Sequence, residues 1–225
     1  MKASPGARSW IAAGVRHELL TRALPALRHD MAAPVSVIRM ALLMLKRQVG
    51  ATPIDPAACE ERVALIDNQV SELVEGIRSL RDWELATADD GITRSALVAQ
   101  CVGLMRAAFD MHGVTLDVDP ALDPLEGEPR RPQGAALRYL LLGGLGYLHD
   151  SVPEAGAIRI DADGADALRL SALPRESGGV SPVLGAHRAP RALAIDAITL
   201  QSLAEDLGYT AALERDSVRF SLAAG

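Results

Sequence analysis

Aromatic residues are scarce. Two Trp, three Tyr and two Phe make up 3% of 225 residues, too few to furnish the stacking platforms on which single-stranded nucleic acids lie. Basic runs are missing as well: 23 Lys and Arg stand against 29 Asp and Glu, a net charge of -6, which argues against generic phosphate-backbone binding. Only two cysteines occur, Cys59 and Cys101. They are far apart and form neither a disulfide framework nor a metal-ligand pair, as expected of a chain in a reducing, cytoplasmic compartment. The longest apolar run, "YLLLGGLGYL" from Tyr139 to Leu148, is too short to cross a bilayer, and "MKASPGARSW" lacks the apolar core of a signal peptide. No membrane association is expected, and any sensing of the outside would come through another protein.

Two segments of different character are present. Residues 8–88 are poor in glycine and carry helical spacing. Leu24, Met31, Ile38 and Leu45 fall seven apart, with Leu20, Leu27, Pro34 and Ala41 as the second set, the 3-4 pattern of a helix packed along one seam. A second helix shows Val63, Ile66, Val70, Leu73, Ile77 and Leu80. Asp55-Pro56 supplies its start, a capping side chain followed by a proline in the first turn. The spacing predicts an antiparallel hairpin with about 30 residues per arm, each rising 1.5 Å per residue. Two helices bury too little by themselves, so a homodimer closing a four-helix bundle is expected. In this register His29 projects away from the core, in line with Arg22 and Ser36.

Residues 92–225 read as α/β. Ser95 to His112 is an amphipathic helix, "VTLDVD" alternates as a strand, and Pro132 to Asp150 is helical. "AIRIDAD" and "ALRLSAL" form a hairpin around Gly164. Ala194 to Leu207 is a helix stopped at Gly208, and "TAALE" with "VRFSLA" closes the chain as a last hairpin. One sheet covered on one face by about three helices satisfies these elements. The fold class is therefore α+β: a helical hairpin followed by an α/β sandwich.

This order of parts carries a resemblance. "LRHDMAAPVSVI" resembles the phosphoacceptor box of bacterial sensor histidine kinases: histidine, an acidic residue, three variable positions, proline. Residues 18–86 look like their dimerisation and phosphotransfer hairpin. "ITRSALVAQCVGLMRAAFDMHGVTLDVD", "LRYLLLGGLGYLHDSVPEAGAIRI" and "LQSLAEDLGYTAALERDSVRFSLA" follow, in order, parts of the family's ATP-binding domain. The nucleotide-binding residues do not match. Gly143 and Tyr147 stand where the family has asparagines that hold Mg²⁺ and phosphate, with Asp150 at a following basic position. Arg175 in "PRESGGV" stands at the adenine-reading aspartate, and Ala194 and Asp196 in "ALAIDAIT" replace lid glycines. Mg-ATP needs oxygen ligands and closely approaching backbone amides. The second domain is thus expected to be kinase-like but unable to bind ATP.

An intact histidine hairpin with a degenerate ATPase domain is similar to the dimeric histidine phosphotransferases of phosphorelays, the ChpT and sporulation phosphotransferase type. The resemblance implies relay of phosphoryl groups between receiver-domain aspartates through His29, in a cytoplasmic homodimer that needs no cofactor of its own. The partners implied are response-regulator receiver domains, which bring their own Mg²⁺, and a hybrid histidine kinase. Asp30 would orient the imidazole or take its proton, and Arg28 would lie near the phosphoryl oxygens or stand as a solvated surface residue. Ala33 replaces the threonine or asparagine that positions a hydrolytic water in many family members, so phosphatase activity is expected to be weak. Two other readings remain: a pseudokinase adaptor that binds a kinase or regulator without accepting phosphate, and an ATP-dependent kinase with a diverged site. His149-Asp150 repeats the dipeptide without the later proline and reads as structural. His17, His112 and His187 show no partner pattern. Asp89-Asp90 reads as a solvated linker and Ser177–Gly179 as a plain turn.

Overall fold

The computed structural model describes residues 4–79, 83, 91–175 and 193–223. The expected seam position Leu80, the acidic pair Asp89-Asp90, His187 and the Ser177–Gly179 turn lie outside them. The chain is α+β. Its helices are α1 (Pro5–Val49), α2 (Pro56–Ser79), α3 (Arg94–Met111), α4 (Gly134–Ser151) and α5 (Ala197–Asp206). The strands are β1 (Ile92–Thr93), β2 (Thr115–Val118), β3 (Arg130–Arg131), β4 (Ala155–Ala162), β5 (Ala167–Pro174), β6 (Ala211–Leu213) and β7 (Ser217–Ser221). Contacts divide the chain into two units, Leu24–Thr87 and Met1–Ala23 with Ala88–Gly225. Residues 8–23, grouped with the hairpin by their sequence periodicity, thus make their contacts in the α/β unit.

In the helical unit, α1 and α2 run antiparallel. The Asp55 side chain caps α2 by accepting from the Ala58 N–H at 3.2 Å, with Pro56 at the first helical position as the sequence suggests. The hairpin is tight near its open end: the position a Gly76 Cβ would take lies 4.0 Å from Met31. Pro34 and Ala41 are buried in the seam. Leu24, Val63, Val70 and Ile77, assigned to the same seam by periodicity, are instead exposed. A heptad pattern marks an apolar stripe without saying what covers it, and here a single hairpin covers only part.

The α/β unit holds a mixed five-stranded sheet in the order β2-β4-β5-β7-β6. β2 pairs parallel with β4, and the other neighbours are antiparallel. Gly164 turns the β4–β5 hairpin at φ +71° and Gly208 ends the α5 segment at φ +77°, conformations that cost glycine little. A separate pair, β1 with β3, has no two-residue signal in the sequence that periodicity could detect. The inner sheet face, with Leu116, Ile158, Ile160, Leu168, Leu170 and Phe220, is buried beneath the helices.

α4 is buried along almost its whole length, from Gly134 to His149. A helix apolar on every side must be covered on every side. The sheet and helices α3 and α5 cover part of it. The remaining cover comes from the first turns of α1, where Ala12, Val15, Leu19 and Ala23 are buried. Glycines permit the close approach: a Cβ at Gly143 would lie 2.9 Å from both Leu200 and Leu203 and 3.9 Å from Leu19. One at Gly146 would lie 2.7 Å from Ile195.

Candidate functional site

His29 sits within α1 between two prolines, Pro25 and Pro34. Its side chain is 84% exposed and that of Asp30 71%. Nδ1 of His29 lies 3.6 Å from Oδ1 of Asp30, longer than a hydrogen bond but within reach of one after a small side-chain adjustment. With Nδ1 turned toward the carboxylate, Nε2 faces water. Pro34 has no N–H, so the Asp30 carbonyl lacks its helical donor beside the imidazole. Arg28, one position earlier, is exposed. The structure thus places all three sequence-predicted residues at one exposed point of the helix. Arg22, expected in line with His29 on the outer face, is instead half-buried in the α/β unit and bonded to Glu18 and Asp150.

Below His29, residues Ala33, Val37, Met40 and Met44 recur at helical spacing and share its face. An open groove between the helices is lined by Val37, Met40, Ala41, Met44, Arg62 and Leu65. On the other flank of the seam a second exposed set appears. Val35, Leu42 and Val49 on α1 and Val63, Val70 and Ile77 on α2 are all exposed. Each set recurs every seven residues, so each forms an exposed apolar stripe along its own helix. The hairpin therefore presents an apolar face on one side and a histidine-headed groove on the other.

The positions compared with a nucleotide site are filled by the chain itself. Gly143 lies under Leu19, Leu200 and Leu203. Tyr147 is buried and its hydroxyl donates to the Glu214 carbonyl at 3.0 Å. Asp196 caps α5, accepting from the Thr199 N–H at 2.8 Å, while the Thr199 hydroxyl oxygen accepts from the Asp196 N–H at 2.8 Å. That reciprocal capping explains an aspartate at this point. Arg175 donates to the Gly113 carbonyl at 3.2 Å. Asp150 is buried and accepts from Arg22 at 2.9 Å and from the Ile195 N–H at 2.9 Å. Burial alone would raise its carboxyl pKa, but hydrogen bonds from His149, Arg22 and Ile195 outweigh it and hold the value at about 2.

The sequence reading missed one association. His112, assigned no partner, places Nδ1 3.0 Å from Nε2 of His149, whose own Nδ1 lies 3.0 Å from Asp150 Oδ1. The two histidines are 37 residues apart in the chain, and no local spacing announces the pair. Among the described residues, no cluster of three metal-ligating side chains occurs, and no helix is long and apolar enough to cross a membrane.

No protein-family model matches the sequence, and no curated protein matches it. Among solved structures, the histidine kinase AdeS of Acinetobacter baumannii is similar at a TM-score of 0.34 and 12% identity, over 86% of this chain and 95% of that one.

Proposed function

We propose that this protein is a homodimeric histidine phosphotransferase that relays phosphoryl groups between receiver-domain aspartates through His29, without ATP. The observation that carries the reading is the exposed imidazole next to Asp30, at the head of an open apolar groove on the same helix face. Neutral imidazole is both a nucleophile and a tolerable leaving group near neutral pH. Nε2 attacks the phosphorus of an aspartyl phosphate, the P–O bond to the aspartate breaks, and the carboxylate leaves. The imidazole then gives up its Nδ1 proton, for which Asp30 is the nearest acceptor. The second receiver reverses the sequence. Mg²⁺ belongs to the receiver, so the demand on this chain is orientation. The groove suits an amphipathic receiver helix, which would bring the aspartate over His29.

The exposed stripes Val35, Leu42, Val49 and Val63, Val70, Ile77 support the dimer, since a second copy of the hairpin would cover them around a four-helix core. The independence from ATP is supported by Leu19, Leu200, Leu203 and Ile195, which occupy the space against Gly143 and Gly146.

The test is transfer of labelled phosphate from a phosphorylated receiver. The wild-type protein becomes labelled and passes the label to a second receiver, and His29→Ala does neither, a loss of at least about 1,000-fold for removal of the nucleophile. Receiver binding without any label on His29 would favour an adaptor and sink the relay.

A further inference from the structure

Beyond His29, the structure holds a second group of titratable side chains, buried or half-buried and away from His29. Five join in one chain of contacts: Glu18 and Arg22 of α1, Asp150 and His149 of α4, and His112 after α3. Arg22 donates through Nε to Glu18 at 2.9 Å, and through NH2 to Asp150 and to the Leu193 carbonyl, each at 2.9 Å. We propose that the His112–His149 pair is a proton-operated catch that sets how firmly residues 12–23 of α1 hold to the α/β unit.

The geometry constrains the protons. Asp150 accepts from Arg22 and Ile195, so its carboxylate requires His149 to present Nδ1–H. The 3.0 Å separation between His149 Nε2 and His112 Nδ1 accommodates one hydrogen. With both rings neutral, His112 donates and His149 accepts. One added proton leaves that bond in place, because only one hydrogen still lies between the rings. A second added proton puts two N–H groups face to face, and the rings must part. Charge acts in the same direction. The second proton places two positive rings side by side, with the Arg22 guanidinium on the far side of Asp150. Arg175, donating to the carbonyl of Gly113 beside His112, adds to the repulsion. The two rings therefore take up protons as a coupled pair, and the second proton is the one that breaks the contact between them.

Parting the rings acts on α1 through Asp150. This one carboxylate holds His149, Arg22 and the Ile195 N–H together. Phe109 packs on His149 with ring centroids 4.8 Å apart, so displacement of that ring also loosens the packing beneath it. Asp150 stays ionised throughout, which leaves the imidazoles as the groups that switch. Arg22 lies two turns before His29 in the same helix, so a loosened catch frees the stretch of helix that leads to the phosphoacceptor. The inference does not depend on His29 accepting phosphate.

Hydrogen exchange on the full chain, corrected for the intrinsic pH dependence of exchange, tests the catch. In the wild type, amides of residues 12–23 lose at least about tenfold of their protection between about pH 7 and about pH 4, across which the imidazoles take up their protons. His112→Asn should hold that change under about threefold, because its side-chain amide still donates to His149 but takes up no proton. A flat wild-type profile, or an equal slope in His112→Asn, overturns the proposal. Should His112→Asn fail to fold, ¹⁵N-imidazole titration of the wild type decides instead. Two coupled steps uphold the pair, and two independent ordinary titrations overturn it.

Discussion

A single carboxylate, Asp150, shows how much one residue can decide. Its sequence neighbour His149 makes the dipeptide look like the pair His29-Asp30 proposed as phosphoacceptor. Yet His149-Asp150 is buried and locked in hydrogen bonds while His29-Asp30 stands in water. The same two residue types become a structural bolt or a chemical group according to burial. Asp150 titrates at about 2 in the folded chain, below the unfolded aspartate value of about 3.9. A depressed folded pKa contributes stability that is fully present above the unfolded value and lost as pH falls through the folded one. The difference corresponds to about 2 kcal/mol. The urea midpoint of the α/β unit should therefore fall between about pH 4 and about pH 2, below the window of the imidazole pair. Asp150→Asn should lack this component and lose about 2 kcal/mol at neutral pH, because Arg22 keeps Glu18 but loses the charge of its second carboxylate. An unchanged acid profile in that variant would show that Asp150 is not the group responsible. None of this was legible in sequence, since Arg22, His112 and Asp150 come from elements with no shared spacing.

At the scale of elements, periodicity identified nearly all of the architecture. The helices after Asp55, after Thr93 and before Gly208, the β4–β5 hairpin around Gly164 and the closing β6–β7 hairpin all lie where local signals put them. These signals are chemical and local: a capping side chain, an alternating strand, a glycine at positive φ. Which apolar stripe meets which partner is not a local property. The seam assigned to α2 combined two stripes. Ile66 and Leu73 are half-buried, whereas Val63, Val70 and Ile77 are exposed. The exposed set makes the dimer testable. In sedimentation velocity, Val70→Glu and Ile77→Glu should each weaken self-association at least about 100-fold, since every symmetric interface would bury two unpaired carboxylates. Asn68→Glu, on the exposed polar side of α2, should leave association unchanged. A wild-type protein that remains monomeric at high concentration would remove the four-helix bundle from the account.

For the whole molecule, the division of α1 between two units matters most. One continuous helix supplies its first turns to the core of the α/β unit and carries the exposed histidine in the other. The sequence resemblance predicted an ATP-binding fold without its nucleotide residues. In the structure the glycine-lined side of α4 is packed against Leu19, Leu200, Leu203 and Ile195. Leu19 lies against it with no exposure, and Arg22, Asp150 and the Ile195 N–H are bonded to one another rather than facing an open site. A nucleotide there would have to displace buried leucine and break a buried ion pair, which together cost about 5 kcal/mol or more. That offsets much of what a triphosphate could gain without Mg²⁺-ligating asparagines. Thermal unfolding turns this into a measurement. A ligand present at 100 times its Kd stabilises the folded state by about 2.7 kcal/mol, which in a chain of this size moves Tm by about 5–10 °C. Millimolar Mg-ATP should move the Tm of the α/β unit by less than about 1 °C, a shift corresponding to well under 1 kcal/mol. Arg22→Gln, which weakens the hold of α1, should bring no nucleotide response either, because Gly143 and Tyr147 still offer the metal no side-chain oxygen or amide like that of asparagine. A shift of several degrees in the wild type would restore the kinase reading, and one seen only in Arg22→Gln would recast α1 as a plug over a working nucleotide site.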